Sequence, residues 1–572
     1  MLQEKQERAV RQPKWISSCV IIVTILNGKS MLFRLNKKTK TIAGLILAGS
    51  VLLSLPFLFS GFGIVMLVAM VPVLFLEHYT RTNKIRFRWA IIYLTLLLWN
   101  TATTYWIAYA NLRGALSAII LNALSFTLIL MLYGWFRKRY SKGIGYLFLV
   151  LGWLAWEYLM MEGELNWPWL VLGNGFASSY KIVQWYEFTG VLGGSLWALL
   201  TSLLIFEIIT GGGDCSTGKK LKIKNFALIT LIILPIFASH AIYITYSEKE
   251  NPKEFLIIQP NIDPYVDKFG GMTQKEQDEV LIKLLKENIT DSTLIVIAPE
   301  TFTSGIIENE PFSSDSFNRF YREMTNHGHS HLIIGASTHY LYPENLYPPE
   351  NRPTYTARRI KNGWYESYNT AIFLDSTGKY EFYHKSRLVP LVEFMPFPKY
   401  LSGFRLLVIE LGGYFGSYGT QKERSVFTTR DSSTVIGTAI CYESVYGNFY
   451  REYVQKGANV MSVITNDGWW LDSPGYRQHL WFDQLRAIET RRSVARCGNT
   501  GVSALINQKG DIVSKTEWWT KSALRGTLNL NEEITTFVKY GDFIGRIAYA
   551  SMLIFLALAI LSLLKTSVKE KE

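Results

Sequence analysis

Cysteine is scarce in this chain. Four residues in 572, at positions 19, 215, 441 and 497, are too few and too widely spaced for a disulfide framework. No G-x-G-x-x-G opens a helix after a strand, which disfavours a dinucleotide-binding fold. Of eight histidines, none falls at a convincing metal-ligand spacing. Their one cluster, His327-Gly-His-Ser-His331, alternates in a way that suits zinc poorly. Surface or core roles are expected for them, and neither a metal nor a cofactor is implied. Charge is thin as well: 18% of residues are charged against 49% hydrophobic, and mean hydropathy is +0.12, high for a soluble protein.

The apolar excess sits in runs near 41–60, 62–77, 89–110, 115–136, 144–161, 187–209, 226–246 and 545–564. Several approach the ~20 residues that cross a hydrocarbon core, and the acceptable range starts near ~17. Buried core helices are the alternative, but so many long runs favour eight membrane spans, seven before a polar region and one after it. Lys and Arg gather at 34–40, 81–88, 137–142 and 219–224, while the loops around Gly61, around Arg113 and from Glu162 to Gly173 nearly lack them. The positive-inside rule then places both termini in the cytoplasm and residues 247–544 outside, with Lys219 within and Lys268 without. These clusters outweigh the whole formal charge of +13. The basic balance is therefore a topology signature, and no nucleic-acid partner is expected.

Four domains of sequence follow. Residues 1–30 are an N-terminal extension or the product of a start codon placed too early, since Ser18–Leu26 is too short to span and Met31 precedes a natural basic start. Residues 31–246 form a membrane domain of seven helices, 247–544 a polar domain, and 545–572 the eighth span and its tail. Within the membrane domain, Asn166-Trp-Pro-Trp-Leu-Val-Leu-Gly-Asn174 is aromatic and broken. It reads either as an interfacial aromatic belt or as a re-entrant loop shaping a lipid-accessible cavity. The polar domain alternates strand-like (254–259, 293–298, 331–337, 369–374, 435–440, 459–464) with helix-like segments (274–288, 314–325), which predicts layered α/β architecture. Tyr342–Trp364 reads as a surface loop, and Phe394–Gly419 as a hydrophobic arm near the bilayer.

Three strand ends carry chemistry. Val435-Ile-Gly-Thr-Ala-Ile440 delivers Cys441 to a polar turn, Leu294-Ile-Val-Ile-Ala-Pro ends on Glu300, and Lys385 follows a strand-like segment with Glu393 close behind. A free cysteine is usually a small core residue. Together, however, these side chains suit acyl transfer. A thiol of pKa near ~8.5 needs help to become a thiolate, a carboxylate can take its proton, and an ammonium favours the thiolate and meets an oxyanion. A disulfide from Cys441 to Cys497 would remove that nucleophile.

Glu, Lys and Cys in this order resemble the constellation of the nitrilase superfamily. Ile258-Gln-Pro-Asn261, Ala298-Pro-Glu-Thr301, Tyr368-Asn-Thr-Ala371, His384–Glu393, Cys441-Tyr-Glu443, Thr465-Asn-Asp-Gly-Trp469 and Arg486–Gly501, set in a membrane frame, extend the likeness over residues 31–565. The combination resembles the apolipoprotein N-acyltransferase family. That resemblance implies a membrane helical domain plus an external αββα nitrilase-like domain, in the bacterial inner membrane and facing the periplasm. It implies an acyl chain taken from phospholipid as a cysteine thioester and passed to the α-amine of a diacylated apolipoprotein, by a monomer without cofactor. Glu300 would be the base, Lys385 the oxyanion and thiolate stabiliser, and Cys441 the nucleophile. Glu393 and Glu443 would be supporting carboxylates, either balancing charge around the lysine or serving as ordinary buried hydrogen-bonding groups. Asn369 and Gln259 are amides that either hold strand ends or touch the site, and Tyr442 either packs or takes part. Ala298 stands where that family commonly has Trp, which with the 342–364 insertion affects the acyl pocket rather than the chemistry. A membrane-tethered amidase or nitrile hydrolase with the same triad is the rival reading, and a catalytically dead scaffold is a third.

Overall fold

The computed structural model describes residues 36–164, 166–211, 218–394 and 417–569. The 1–30 stretch, Cys19, Cys215 and nearly all of the 394–419 arm lie outside the described residues. Among the described residues, seven helices are long and apolar enough to cross a membrane: Lys37–Leu58, Phe62–Thr82, Leu112–Arg139, Lys142–Glu162, Val191–Thr210, Gly218–Thr245 and Phe543–Leu564. The chain is a multi-pass membrane protein. The expected span at 89–110 is divided in two. It is a 17-residue helix, Arg88–Thr104, then a break and the short helix Ile107–Ala110. Tyr105 and Trp106 between them keep right-handed helical angles, so at ~1.5 Å per residue the stretch from Arg88 to Ala110 is long enough to cross a hydrocarbon core of ~30 Å. At the junction Trp106 packs on Trp169 and Trp470, at centroid distances of 4.9 and 4.6 Å.

The basic clusters collect at one end of this bundle. Arg81 pairs with Glu77 at 2.9 Å, and Lys142 and Lys224 share Glu207 at 2.7 and 3.0 Å. The opposite end carries the α/β domain.

That domain has two sheets. Strands β1 (Pro252–Gln259), β2 (Thr293–Ile297), β3 (Thr303–Ile307), β4 (His331–Leu341), β5 (Arg358–Ile360), β6 (Gly363–Asp375) and β7 (Tyr380–His384) belong to the first. Strands β8 (Val426–Thr428), β9 (Val435–Ile440), β10 (Val460–Thr465), β11 (Val494–Gly498), β12 (Ala504–Ile506) and β13 (Ile512–Lys515) form the second, and β14 (Ser522–Asn529) returns to the first. The orders are β14-β1-β2-β4-β6-β5, with β3 on β4 and β7 on β6, and β13-β12-β11-β10-β9-β8. The parallel pairs β1–β2, β2–β4, β9–β10 and β10–β11 make up the centres.

Alternation in the first sheet explains why its strands are apolar on both sides. Phe255, Ile257, Ile295, Ile297 and Ile333 join the core shared with Ile436 and Ala439 of the second sheet. Leu256, Ile258, Val296, Leu332 and Ile334 face Leu281 and Leu285 of helix Gln274–Asn288 and Phe317 and Phe320 of helix Asp315–Thr325. Sheets buried on both faces read as unbroken apolar runs. This is the expected αββα sandwich on a helical membrane domain. The 342–364 insertion is more than a loop, because β5 pairs with β6. It also folds onto Glu366, whose carboxylate accepts from the hydroxyls of Tyr342, Thr354, Thr356 and Tyr368.

Asn166–Asn174 is not an exposed belt but is buried between the membrane helices and the α/β domain. Trp169 is 1% exposed, and its indole donates to Gln478 Oε1 at 2.7 Å. The Tyr442 hydroxyl donates to the Asn166 carbonyl at 3.0 Å. Gln478, on the domain's buried helix Pro474–Thr490, also donates to the carbonyls of Phe57 and Thr103 at 3.0 and 3.2 Å. One amide thus joins three membrane segments to the α/β domain. Gln478→Leu strands the Trp169 indole and the Phe57 carbonyl in the seam, each unpaired group costing ~1–3 kcal/mol. Thermal unfolding in detergent should show a clear drop in Tm, and an unchanged Tm contradicts the seam's importance.

Candidate active site

Each chemical side chain sits where a strand runs out. After β2 the chain passes Ala298 and Pro299 close over β4. A Cβ on Gly335 would lie 2.5 Å from the Glu300 Cα, so only glycine admits the loop that presents Glu300. Lys385 follows β7, and its N–H donates to the Asn369 carbonyl of β6 at 2.8 Å. Cys441 follows β9 and adopts φ +52°, a left-handed turn that a non-glycine residue rarely takes. The chain then enters the short 3-10 turn Cys441–Val445. A strand-to-turn elbow of this kind holds a nucleophile out of the sheet.

The charges converge on Lys385, which is 1% exposed. Its Nζ donates to Glu300 Oε1 and to Glu393 Oε1, both at 2.9 Å. Asn369 Nδ2 donates to the same two oxygens, at 2.8 and 3.0 Å. Glu393 Oε2 accepts from the Val389 N–H at 2.8 Å, which closes the loop behind the lysine. Burial works against charge on Glu300, but the Lys385 ammonium, the hydrogen bonds from Lys385 and Asn369, and Lys268 outweigh it and hold this carboxyl below its ordinary range. Burial likewise opposes the Lys385 ammonium, and the two carboxylates raise it well above an ordinary lysine. The Cys441 thiol is pushed well up by burial and by the Glu300 charge, with Lys385 opposing.

A cavity of about 270 Å³ opens onto Glu300, Lys385, Cys441, Asn369 and Glu393. Val389, Val392, Trp469 and Trp470 give it an apolar wall, and Ile107, Ala110 and Asn111 of the membrane domain close one side. Asn111 also donates to the Leu391 carbonyl at 3.1 Å. Among the described residues, no group of three or more His, Cys, Asp or Glu could hold a metal ion.

Two family models match: carbon-nitrogen hydrolase over residues 270–536 and the apolipoprotein N-acyltransferase N-terminal domain over 49–204. The chain belongs to the apolipoprotein N-acyltransferase family. It is similar to the apolipoprotein N-acyltransferase of Chlorobaculum tepidum, at 28% identity over 83% of this chain and 88% of that one. The Geobacter metallireducens protein of the same name is 25% identical over 74% and 76%, and apolipoprotein N-acyltransferase 1 of Treponema denticola 24% over 85% and 89%. Among solved structures, Saccharomyces cerevisiae Nit3, of branch 10 of the nitrilase superfamily, aligns over 50% of this chain and 93% of its own, with 16% identity and a TM-score of 0.35.

In this acyltransferase the remaining sequence-derived residues fall elsewhere. Glu443 does not balance Lys385. Its Oε1 accepts from the Tyr383 hydroxyl and the N–H groups of Ser386 and Arg387, and its Oε2 from the Ile440 N–H. It bolts the Lys385 loop to the Cys441 elbow through the backbone. Gln259 does not line the cavity either. Its side chain is taken up by Ser503, Thr516, Glu517 and Thr520. Tyr442 packs on Trp167 and Tyr446. Cys497 is free and buried, its thiol directed at the Ile258 and Ile297 carbonyls.

Lys268, expected on the outer surface, instead lines the cavity and donates to the Thr301 hydroxyl at 2.8 Å. Burial pulls it down to about 8, with Glu300 opposing. Asn466, Trp469 and Trp470 also line the cavity. The first two lie in the Thr465–Trp469 motif, which was the available signal for them.

Proposed function

We propose that this chain transfers an acyl chain from a membrane phospholipid, through a Cys441 thioester, to the free α-amine of diacylglyceryl-cysteine in apolipoproteins. What carries this reading is the wall of the cavity: Ile107, Ala110 and Asn111 of the membrane domain sit beside Cys441. A hydrolase of water-soluble amides needs no such wall, whereas a lipid ester reaches its nucleophile from a bilayer. A membrane-tethered amidase with the same triad is the competing reading.

The resting electrostatics set the order of events. A thiolate formed ahead of substrate would face the Glu300 carboxylate in a buried site, which is why the thiol is raised. Proton transfer is therefore coupled to attack. As Cys441 Sγ bonds to the ester carbonyl carbon, Glu300 takes the thiol proton and the Lys385 ammonium meets the developing oxyanion. Collapse expels the lysophospholipid alkoxide, which leaves with the proton from Glu300. In the second half-reaction the neutral α-amine attacks the thioester, Glu300 accepts a proton from the nitrogen, and Cys441 leaves and is reprotonated. Glu393 and Asn369 keep Lys385 and Glu300 aligned throughout.

The charge pattern supports a catalytic domain outside the inner membrane. The α/β domain sits at the bundle end whose loops nearly lack Lys and Arg. A membrane-impermeant amine reagent on spheroplasts should modify Lys283, which is 75% exposed, and spare Lys219. Equal modification of both contradicts the orientation.

Single-turnover kinetics test the mechanism. Cys441→Ser should give no productive turnover, because its hydroxyl is too weak an acid for Glu300. Glu300→Gln should slow acylation by ~10²–10⁴-fold. Lys385→Met should cost roughly 3–4 kcal/mol of transition-state stabilisation, while Cys497→Ala should be nearly silent. Acylation that survives Cys441→Ala and disappears in Cys497→Ala overturns the assignment.

A further inference from the structure

One cation in the cavity has no part in the acyl-transfer steps described above. Lys268 lines the same cavity as Cys441, and its Nζ donates to the Thr301 hydroxyl at 2.8 Å. Thr301 follows Glu300 directly and adopts φ +47°, a left-handed conformation that a β-branched residue rarely takes. The turn that carries Lys268 is built in place. The Asp263 carboxylate accepts from the Tyr265 N–H at 2.8 Å, and the Asp263 carbonyl accepts from the Lys268 N–H at 3.0 Å. Gln277 Nε2 donates to the Lys268 carbonyl at 3.0 Å.

The same turn meets the membrane domain. The Tyr265 hydroxyl lies 3.1 and 2.7 Å from the carbonyl oxygens of Tyr109 and Trp469. Tyr265 and Val266 are 47% and 61% exposed, and an exposed tyrosine beside a lysine suits the headgroup layer of a bilayer. The cavity lining is mixed in the way an amphipathic ligand requires. Lys268, Thr301, Gln274 and Ser304 supply polar groups, the last two bonded to each other at 3.1 Å, while Ile107 and Ala110 supply apolar surface.

Charge gives Lys268 a task. A phosphodiester that enters this cavity meets the carboxylates of Glu300 and Glu393. Lys385 is already held by both, and its one positive charge does not offset two negative ones. Lys268 brings the second positive charge. Held at about 8, it is mostly an ammonium at neutral pH.

We propose that Lys268 binds the phosphodiester of the acyl donor, its ammonium pairing with the anionic phosphate while the neighbouring acyl ester lies at Cys441. The proposal rests on the phospholipid-donor reading of the site. In a glycerophospholipid the phosphate and the esters share one glycerol unit, so a single cavity has to serve both. Lysine suits the phosphate as a point charge, and it reads the phosphate rather than the alcohol beyond it. A diacylglyceryl-cysteine acceptor carries no phosphate, so the contact favours the donor in the first half-reaction.

The test removes the charge from either side of the contact. Dioleoyl phosphatidylmethanol is an anionic diester, and its methyl triester is the same lipid without the charge. Each is offered to the full-length protein in an uncharged detergent, and the rate of acyl-Cys441 formation is read by mass spectrometry. The unaltered protein should react faster with the diester, by about tenfold or more. Lys268→Gln should bring the two donors within about threefold of each other, and Lys268→Arg should keep the preference. Any effect that passes through Glu300 slows both donors alike and cancels in the ratio. A folded Lys268→Gln protein with the full preference overturns the proposal. So does an unaltered protein that takes both donors equally, a result that needs no variant. Absence of acyl-Cys441 from either donor would overturn the acyl-transfer reading itself, whereas acylation without discrimination overturns this assignment alone.

Discussion

One buried ammonium organises the catalytic domain. Lys385 is held by two carboxylates at 2.9 Å each, and neither it nor its partners could be sequestered alone. Taking such charges out of water costs several kcal/mol per ion, offset only by good geometry and further hydrogen bonds. Asn369 supplies those bonds to both acids. Because the partners come from the ends of β2, β7 and the loop after it, the ion cluster closes only when the first sheet is complete. Cys441 then arrives from the second sheet, at an elbow tied to the Lys385 loop by the single carboxylate of Glu443. Chemistry and sandwich are assembled by the same contacts.

The membrane domain takes part in the site as well as anchoring it. The short helix Ile107–Ala110 continues the membrane helix before it, and its residues line one side of the cavity. The junction between the two seats Trp106 between Trp169 and Trp470. Gly475 is required there, since a Cβ would lie 2.6 Å from the Trp106 ring. The end of a membrane helix therefore forms the wall beside Cys441, and the seam of tryptophans and Gln478 keeps that wall in register with the Cys441 elbow.

Much of this was legible in the sequence because the signals are local. Apolar runs ending on Glu300 and Cys441 announce strand ends, and the 274–288 helix begins at Thr273 with a capping box to Glu276. Other features depend on partners far along the chain. A strand-end amide looks the same whether it meets a cavity, as Asn369 does, or the segments before β12 and after β13, as Gln259 does. Lys268 looks like any exposed lysine until the Thr301 hydroxyl and the cavity are placed around it. Asn166–Asn174 has the composition of an interfacial belt, and only the packing of Gln478 and Tyr442 against it shows a domain seam.

The central claim is that an acyl chain rests on Cys441 between two half-reactions. Purified protein incubated with chain-labelled phospholipid and no acceptor can be digested and mapped for the acyl group by mass spectrometry. The account predicts label on the Cys441 peptide, released both by hydroxylamine and by a diacylglyceryl-cysteine peptide with a free amine. A preparation that acylates the peptide while Cys441 never carries label would contradict it.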